Sequence, residues 1–164
     1  QELTYPTGYI KARCLENHDT ARAASRLTSD RQLYHWLGFL YFQRGAAMLY
    51  SGMEYAPRKQ VGLFDADDNY GDMRLDVQLY LRRCKAMKQT LPLGGGFWWE
   101  PVGDSVALGR YEGPEGKALG VFDLRGQGGE VAVDLPDGVY ENRLGGQITV
   151  HGGRLTLGEL PVVI

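Results

Sequence analysis

The stretch "LTSDRQLYHWLGFLYFQRGAAMLYSG", residues 27–52, decides how the first part of this chain folds. Ser29, with Gln32 three residues on, has the form of a capping box and predicts a helix start. Gly45 after Arg44 is a fitting stop. Between them Leu33, Trp36, Leu37, Leu40 and Tyr41 recur at helical spacing, while Tyr34, Phe39 and Phe42 widen the apolar face. A helix so apolar must be covered on more than one side. The run "AAMLYSG" (46–52) then reads as a short strand buried on both faces of a parallel sheet.

Working outward, "YIKARCL" (9–15) has strand character, although Lys11 and Arg13 suit a fully buried strand poorly. Downstream, a long loop, "MEYAPRKQVGLFDADDNYGDM", leads to a helix expected from about residue 74 to 89. Its Val77, Tyr80, Leu81, Cys84 and Met87 form one stripe. Arg82, Arg83, Lys85 and Lys88 lie largely away from it, and Pro92 ends it. The order β-α-β-α demands parallel strands joined by crossover helices.

Composition changes near Pro92: of the 23 glycines, 17 fall in residues 93–164. There "FWWEPV", "SVALGRYE", "KALGVFDL", "EVAVDL", "GVYENRL", "QITVH", "RLTL" and "LPVVI" alternate with turn signals such as "GPEG", "GQGG" and "PDG". Short strands in this rhythm predict an antiparallel sandwich or barrel, expected to fold as a unit of its own. The fold class is therefore α/β followed by all-β. Two β/α units cannot close a sheet, and an eight-unit barrel needs roughly 200–250 residues. The first part reads as the tail of a larger α/β unit, with apolar faces that favour self-association or packing against the rest of that unit.

The chain has 164 residues, 43% hydrophobic and 23% charged, with a net charge of −2. No basic block points to nucleic acid or to an anionic membrane surface. No apolar run approaches the ~18 residues of a membrane-spanning helix, and no leader-like pattern is read at the start. Cys14 and Cys84 are too few for a disulfide scaffold, and both read as buried free thiols.

Chemistry concentrates in "CLENHDTAR" (14–22), directly after the first strand, at the carboxyl end where parallel α/β folds keep their sites. Three readings compete. Asp19 or Thr20 caps a helix while His18 merely packs. Alternatively, His18 and Asp19 bind a metal, although adjacent residues rarely chelate one ion and no second ligand pair supports them. In the third, the group grips a polyhydroxylated substrate. Asp19 then accepts two hydroxyl hydrogen bonds, His18 donates one, and Asn17 orients its neighbours; a carboxylate beside a sugar ring also stabilises an oxocarbenium-like transition state.

"LENHDTAR" resembles the last conserved region of the alpha-amylase family of glycoside hydrolases (family 13), supplying its Asn-His-Asp core and the following Arg. "GAAMLYSGMEYAP" is similar to that family's G-x-P-x-x-Y-x-G-x-E segment at the eighth barrel strand, with Ala47 in place of Pro. "VGLFDADD" resembles the loop after it, "YLRRCKAMKQTLPLGGG" the closing helix and its exit, and the Gly-rich region, with "LPDGVYENRLGG", the C-terminal sandwich. The resemblance implies the last two β/α units of a TIM (β/α)8 barrel over residues 1–91 and an antiparallel β-sandwich over 92–164.

It further implies that Asp19 is the third, transition-state-stabilising carboxylate. His18 contacts the same sugar ring, Asn17 buttresses the pair, and Arg22 is either a site residue or a surface helix residue. Glu54 is structural, closing the barrel through buried hydrogen bonds. The expected partner is an oligo- or polysaccharide with α-glucosidic bonds. No cofactor or metal is expected in this chain, and calcium in a longer parent stays open. A retaining glycosidase needs a nucleophile and an acid/base roughly 5–5.5 Å apart. In the family both come from earlier barrel strands, so the chain alone is expected to be inactive. The competing reading is a carbohydrate-binding or structural β module with a helical prefix. In it Trp98 or Trp99 supplies a stacking platform, against the alternative that both are buried.

Overall fold

The computed structural model describes residues 9–60, 62 and 73–164. The element order is β1 (Ala12–Arg13), α1 (Ala23–Arg26), α2 (Asp30–Phe42), β2 (Ala46–Ala47), a 3-10 turn (Met53–Tyr55) and α3 (Gln78–Gln89). Then follow β3 (Gly96–Val102), β4 (Val106–Gly113), β5 (Gly116–Asp123), β6 (Glu130–Ala132), β7 (Gly138–Glu141), β8 (Gln147–His151), β9 (Arg154–Thr156) and β10 (Val162–Val163).

α2 starts as its cap predicts. The Ser29 hydroxyl accepts a hydrogen bond from Gln32 N at 3.2 Å. The Gln32 amide oxygen reaches back one residue beyond the usual box, accepting from Thr28 N at 2.8 Å. At the other end three carbonyls are capped from outside the helix: Lys88 Nζ donates to Tyr41 O and Gln43 O, and the Tyr111 hydroxyl donates to Phe42 O at 2.8 Å. Gly45 then turns with φ of 89°, and a Cβ there would stand 2.2 Å from Lys11 O. Only glycine fits that turn into β2.

β1 and β2 pair in parallel, Ala12 with Ala46 and Arg13 with Ala47, with α1 and α2 forming the crossover. Both strands are shorter than the sequence predicts. Nor is the second buried on two faces, because Met48 and Leu49 are exposed. Each strand has one neighbour among the described residues, so pairing stops where the single ladder stops. α3 also begins later than expected. Arg74 N and Leu75 N donate to Tyr55 O, Arg74 Nε donates to Ala56 O, and Asp76 Oδ1 accepts from Gln78 N. These bonds hold residues 74–77 against the 3-10 turn and out of the helix. The predicted stripe Val77, Tyr80, Leu81, Cys84 and Met87 is buried throughout.

All eight predicted strands after Pro92 are present, in two antiparallel sheets ordered β10-β5-β4-β3 and β6-β9-β8-β7. Between the sheets lies an aliphatic core that includes Leu108, Val121, Val150, Leu155 and Val162. The outer face of the first sheet builds a second core with α2 and α3. Alternation decides which residue goes where. Phe97 and Trp99 point to the helices with Tyr111 and Phe122, whereas Trp98 points the other way and is 42% exposed. The expectation that both tryptophans are buried is therefore corrected for Trp98.

Phe42 is the centre of the helix–sheet core. Its ring lies 5.2–5.7 Å from those of Tyr111, Phe122 and Trp99. Gly109 and Gly120 face each other across β4 and β5 beneath it. A Cβ at Gly109 would stand 2.6 Å from the Phe42 ring and 2.5 Å from Trp99, and one at Gly120 would stand 2.5 Å from Phe122. The glycine pair makes the hollow into which the aromatic rings pack.

α2 is thus covered on two sides, by this sheet and by α3, where Tyr34 and Tyr80 meet edge to face at 4.9 Å. The bare helix face expected to drive self-association does not exist. Residues on both sides of Pro92 share the helix–sheet core, while the sandwich also has a core of its own between its two sheets. Cys84 is buried, but Cys14 is exposed, contrary to its predicted burial. No helix among the described residues is long and apolar enough to cross a membrane.

Candidate active-site segment

The loop from Asn17 to Arg22 joins the carboxyl end of β1 to α1. It is braced by its own side chains. Asn17 Oδ1 accepts from Asp19 N at 2.9 Å, and Thr20 Oγ1 accepts from Asn17 N at 3.0 Å, an Asx turn closed by a threonine. From the segment after β2, Gln60 Nε2 donates to His18 O at 2.7 Å. The side chains of His18 and Asp19 stand outward, 56% and 73% exposed, with Nε2 and Oδ2 3.2 Å apart.

Beneath the loop the environment inverts. Glu16 and Arg22 are 2% and 1% exposed. Glu16 Oε1 accepts from Arg22 Nη1 at 2.7 Å, and its Oε2 accepts from Ala23 N at 2.5 Å, at the start of α1. Arg22 Nη1 also donates to Ser51 O at 2.9 Å, and the guanidinium lies 4.7 Å from the centre of the Tyr50 ring. All of these bonds run through Arg22 Nη1 and the Glu16 carboxylate, while Arg22 Nε and Nη2 are buried without a hydrogen-bond partner among the described residues. The pair ties the loop to α1 and to the chain leaving β2.

The structure therefore brings Asn17, His18 and Asp19 together on one exposed loop and gives Arg22 a different place. Arg22 is no surface helix residue: it is buried beneath the loop, bonded to Glu16 and to Ser51 O. Glu54 is half-buried in the 3-10 turn, where its backbone carbonyl accepts from Val77 N at 2.9 Å. The segments "VGLFDADD" and "DDNYGD" fall almost wholly outside the described residues. Sequence reading missed Glu16, Tyr50, Ser51 and Gln60. The available signal was the placing of opposite charges, Glu16 and Arg22, on either side of Asn-His-Asp. Among the described residues no three His, Cys, Asp or Glu side chains converge as metal ligands would.

Chemically, the loop presents a carboxylate able to accept hydroxyl hydrogen bonds, next to an imidazole able to donate one. Its backbone is preorganised by bonds that do not use those groups.

Comparison with known proteins agrees with this architecture. Residues 99–164 match the family model of the bacterial alpha amylase C-terminal domain. An alpha-amylase from Lactobacillus plantarum is 32% identical, with a TM-score of 0.90 over 99% of this chain and 40% of that one. A maltogenic alpha-amylase from Thermotoga neapolitana shares the fold at 20% identity and a TM-score of 0.74, over 99% of this chain and 42% of its own. The alpha-amylase of Geobacillus thermoleovorans, solved with acarbose, does so at 20% identity and a TM-score of 0.73, over 99% and 40%. No curated protein matches the sequence. The chain spans about two-fifths of the length of these solved relatives. Its sandwich, its family-model match and its likeness over nearly its whole length to the Lactobacillus enzyme make this chain the C-terminal part of an alpha-amylase family protein.

Proposed function

We propose that residues 1–91 are the last two β/α units of a (β/α)8 catalytic barrel and residues 92–164 its C-terminal sandwich. The parent is then a retaining glycoside hydrolase acting on α-glucosidic oligo- or polysaccharides. The observation that carries this reading is the braced Asn17–His18–Asp19 loop. It sits at the carboxyl end of a parallel strand, with its two titratable side chains side by side and open to solvent. The acarbose complex of the Geobacillus relative supports an oligosaccharide as substrate.

In this mechanism Asp19 accepts hydrogen bonds from two hydroxyls of the sugar in the cleavage subsite. As the glycosidic bond breaks, positive charge grows on the ring, and the fixed carboxylate stabilises that state more than the ground state. His18 donates to the same ring, Asn17 holds the Asp19 backbone, and the Glu16–Arg22 pair anchors the loop. The nucleophile and the acid/base come from other barrel strands, so the chain by itself has no glycosidase activity. Ile10, Met48 and Leu49, exposed on or beside β1 and β2, support packing of this edge against further barrel units, or against another copy when the chain stands alone.

The test is Asp19→Asn in the full-length parent. Turnover is expected to fall ~10²–10³-fold with substrate binding much less affected. Near-normal turnover would sink the assignment.

A further inference from the structure

An open cavity of about 630 Å³ is lined by residues of both sheets of the sandwich. Its size falls within the roughly 300–1,000 Å³ usual for ligand sites. On the first sheet Trp98, Arg110 and Leu119 lie in register across β3, β4 and β5, so their side chains share the face turned toward the cavity. Glu112 and Lys117, the next pair along, are joined by an ion pair of 2.5 Å. The opposite wall carries Asp134 and Tyr140.

Three features of this lining bear on its ligand. The Trp98 indole is 42% exposed, although the alternation of β3 gave its neighbour Trp99 a full aromatic environment. An exposed flat ring in the lining of an open cavity suits the flat C–H face of a pyranose. The charged groups around it, Arg110 and Lys117 against Glu112 and Asp134, balance formally to zero, which favours a neutral ligand over an anion or a cation. They are also planar or flexible hydrogen-bonding groups, of the sort that meet hydroxyls. The Tyr140 hydroxyl is committed to Pro136 O at 2.8 Å, so the ring is held in place and contributes a fixed wall.

We infer that this cavity is a second carbohydrate site, in which a neutral α-glucan oligosaccharide stacks a sugar ring on Trp98, independently of the Asn17–Asp19 loop. The identity of the sugar rests on the α-glucosidic substrate proposed above; the site itself rests on the cavity and its lining. Such a site on the sandwich would hold a polymer to the protein at a distance from the cleavage position.

The chain as it stands serves for the test, with maltoheptaose as ligand and cellohexaose as control, followed by calorimetry and tryptophan fluorescence. Trp98→Ala is expected to weaken maltoheptaose binding by roughly five- to tenfold, and Trp98→Phe to retain most of it. A second variant, Asp19→Ala with His18→Ala, reads whatever part of the binding belongs to the proposed active-site loop. Near-ultraviolet circular dichroism checks that the buried aromatic core is intact in each variant. Binding lost in the Asp19/His18 variant but kept in Trp98→Ala would overturn this site and leave the proposed active-site loop standing. No binding by the unaltered chain at millimolar sugar would overturn it as well. Equal affinity for cellohexaose would refute the α-glucan selectivity. Asp19→Asn in the parent decides the catalytic reading separately, whatever Trp98 does.

Discussion

Lowering the pH should unfasten α2 from the sandwich through one residue. His35 is fully buried in α2. Its Nδ1 accepts from Asp123 N at 2.8 Å, which fixes the neutral tautomer with the proton on Nε2, 3.4 Å from Gly158 O. Burial is the main reason its pKa is pushed down from 6.5 to about 4; the bond to Gly158 opposes this, nearby Arg31 adds to it and Asp123 opposes it. Between the two values the unfolded chain carries the proton and the folded chain does not, so stability falls as the pH drops through that window. A separation of roughly 2.5 pH units, at about 1.36 kcal/mol each, makes the loss about 3 kcal/mol by pH 4. Urea unfolding at pH 7, 6, 5 and 4.5, run on the native chain and on His35→Gln, measures it. The variant should start less stable but lose less between pH 6.5 and 4.5. Asp137, whose carboxyl is held low chiefly by the Gly152 and Gly153 amides, adds its loss only at more acid pH. Parallel slopes for the two proteins across pH 6.5–4.5 would refute the assignment of this proton to His35.

Two further outcomes follow from packing. Gly109→Ala places a methyl group 2.5–2.6 Å from Trp99 and Phe42, so a loss of about 1–3 kcal/mol and a changed tryptophan spectrum are expected in chemical denaturation; unchanged stability would mean the aromatic rings can move aside freely. Cys84 is buried and its thiol is pushed up to about 12, chiefly by burial, whereas Cys14 is exposed. A thiol reagent should therefore titrate one cysteine rapidly in the native chain and the second only on unfolding.

Much of this fold is legible in the sequence because its signals are local. Ser29, Gly45 and the period of Leu33, Leu37 and Leu40 specify α2 without reference to the rest of the chain, and the turn glycines mark out eight strands. What is less legible depends on partners. The width of the apolar face on α2 says that two surfaces cover it, but not that one of them is the back of the sandwich. The apolar run after Ala46 implies burial that this chain does not itself supply. Trp98 and Trp99 are chemically identical, and only the register of β3 against β4 sends one inward and one out. In the candidate site, Asn17, His18 and Asp19 stand out by composition. The Glu16–Arg22 pair that holds them is marked only by opposite charges flanking that motif. Its burial is not legible, since a buried guanidinium and an exposed one look alike in sequence.

One turn of α2 grips the far end of β5. Arg31 Nη2 donates to Asp123 Oδ2 at 2.9 Å, Gln32 Nε2 and Trp36 Nε1 both donate to Leu124 O, and Asp123 N donates to His35. The change of architecture at Pro92 is thus bridged by side-chain hydrogen bonds from α2. A recombination that grafted this sandwich onto the helices of another relative would have to carry residues 31–36 with it. Across descendants of one ancestor, that helical turn and the end of β5 should be inherited as a single cassette, even though some ninety residues of chain separate them.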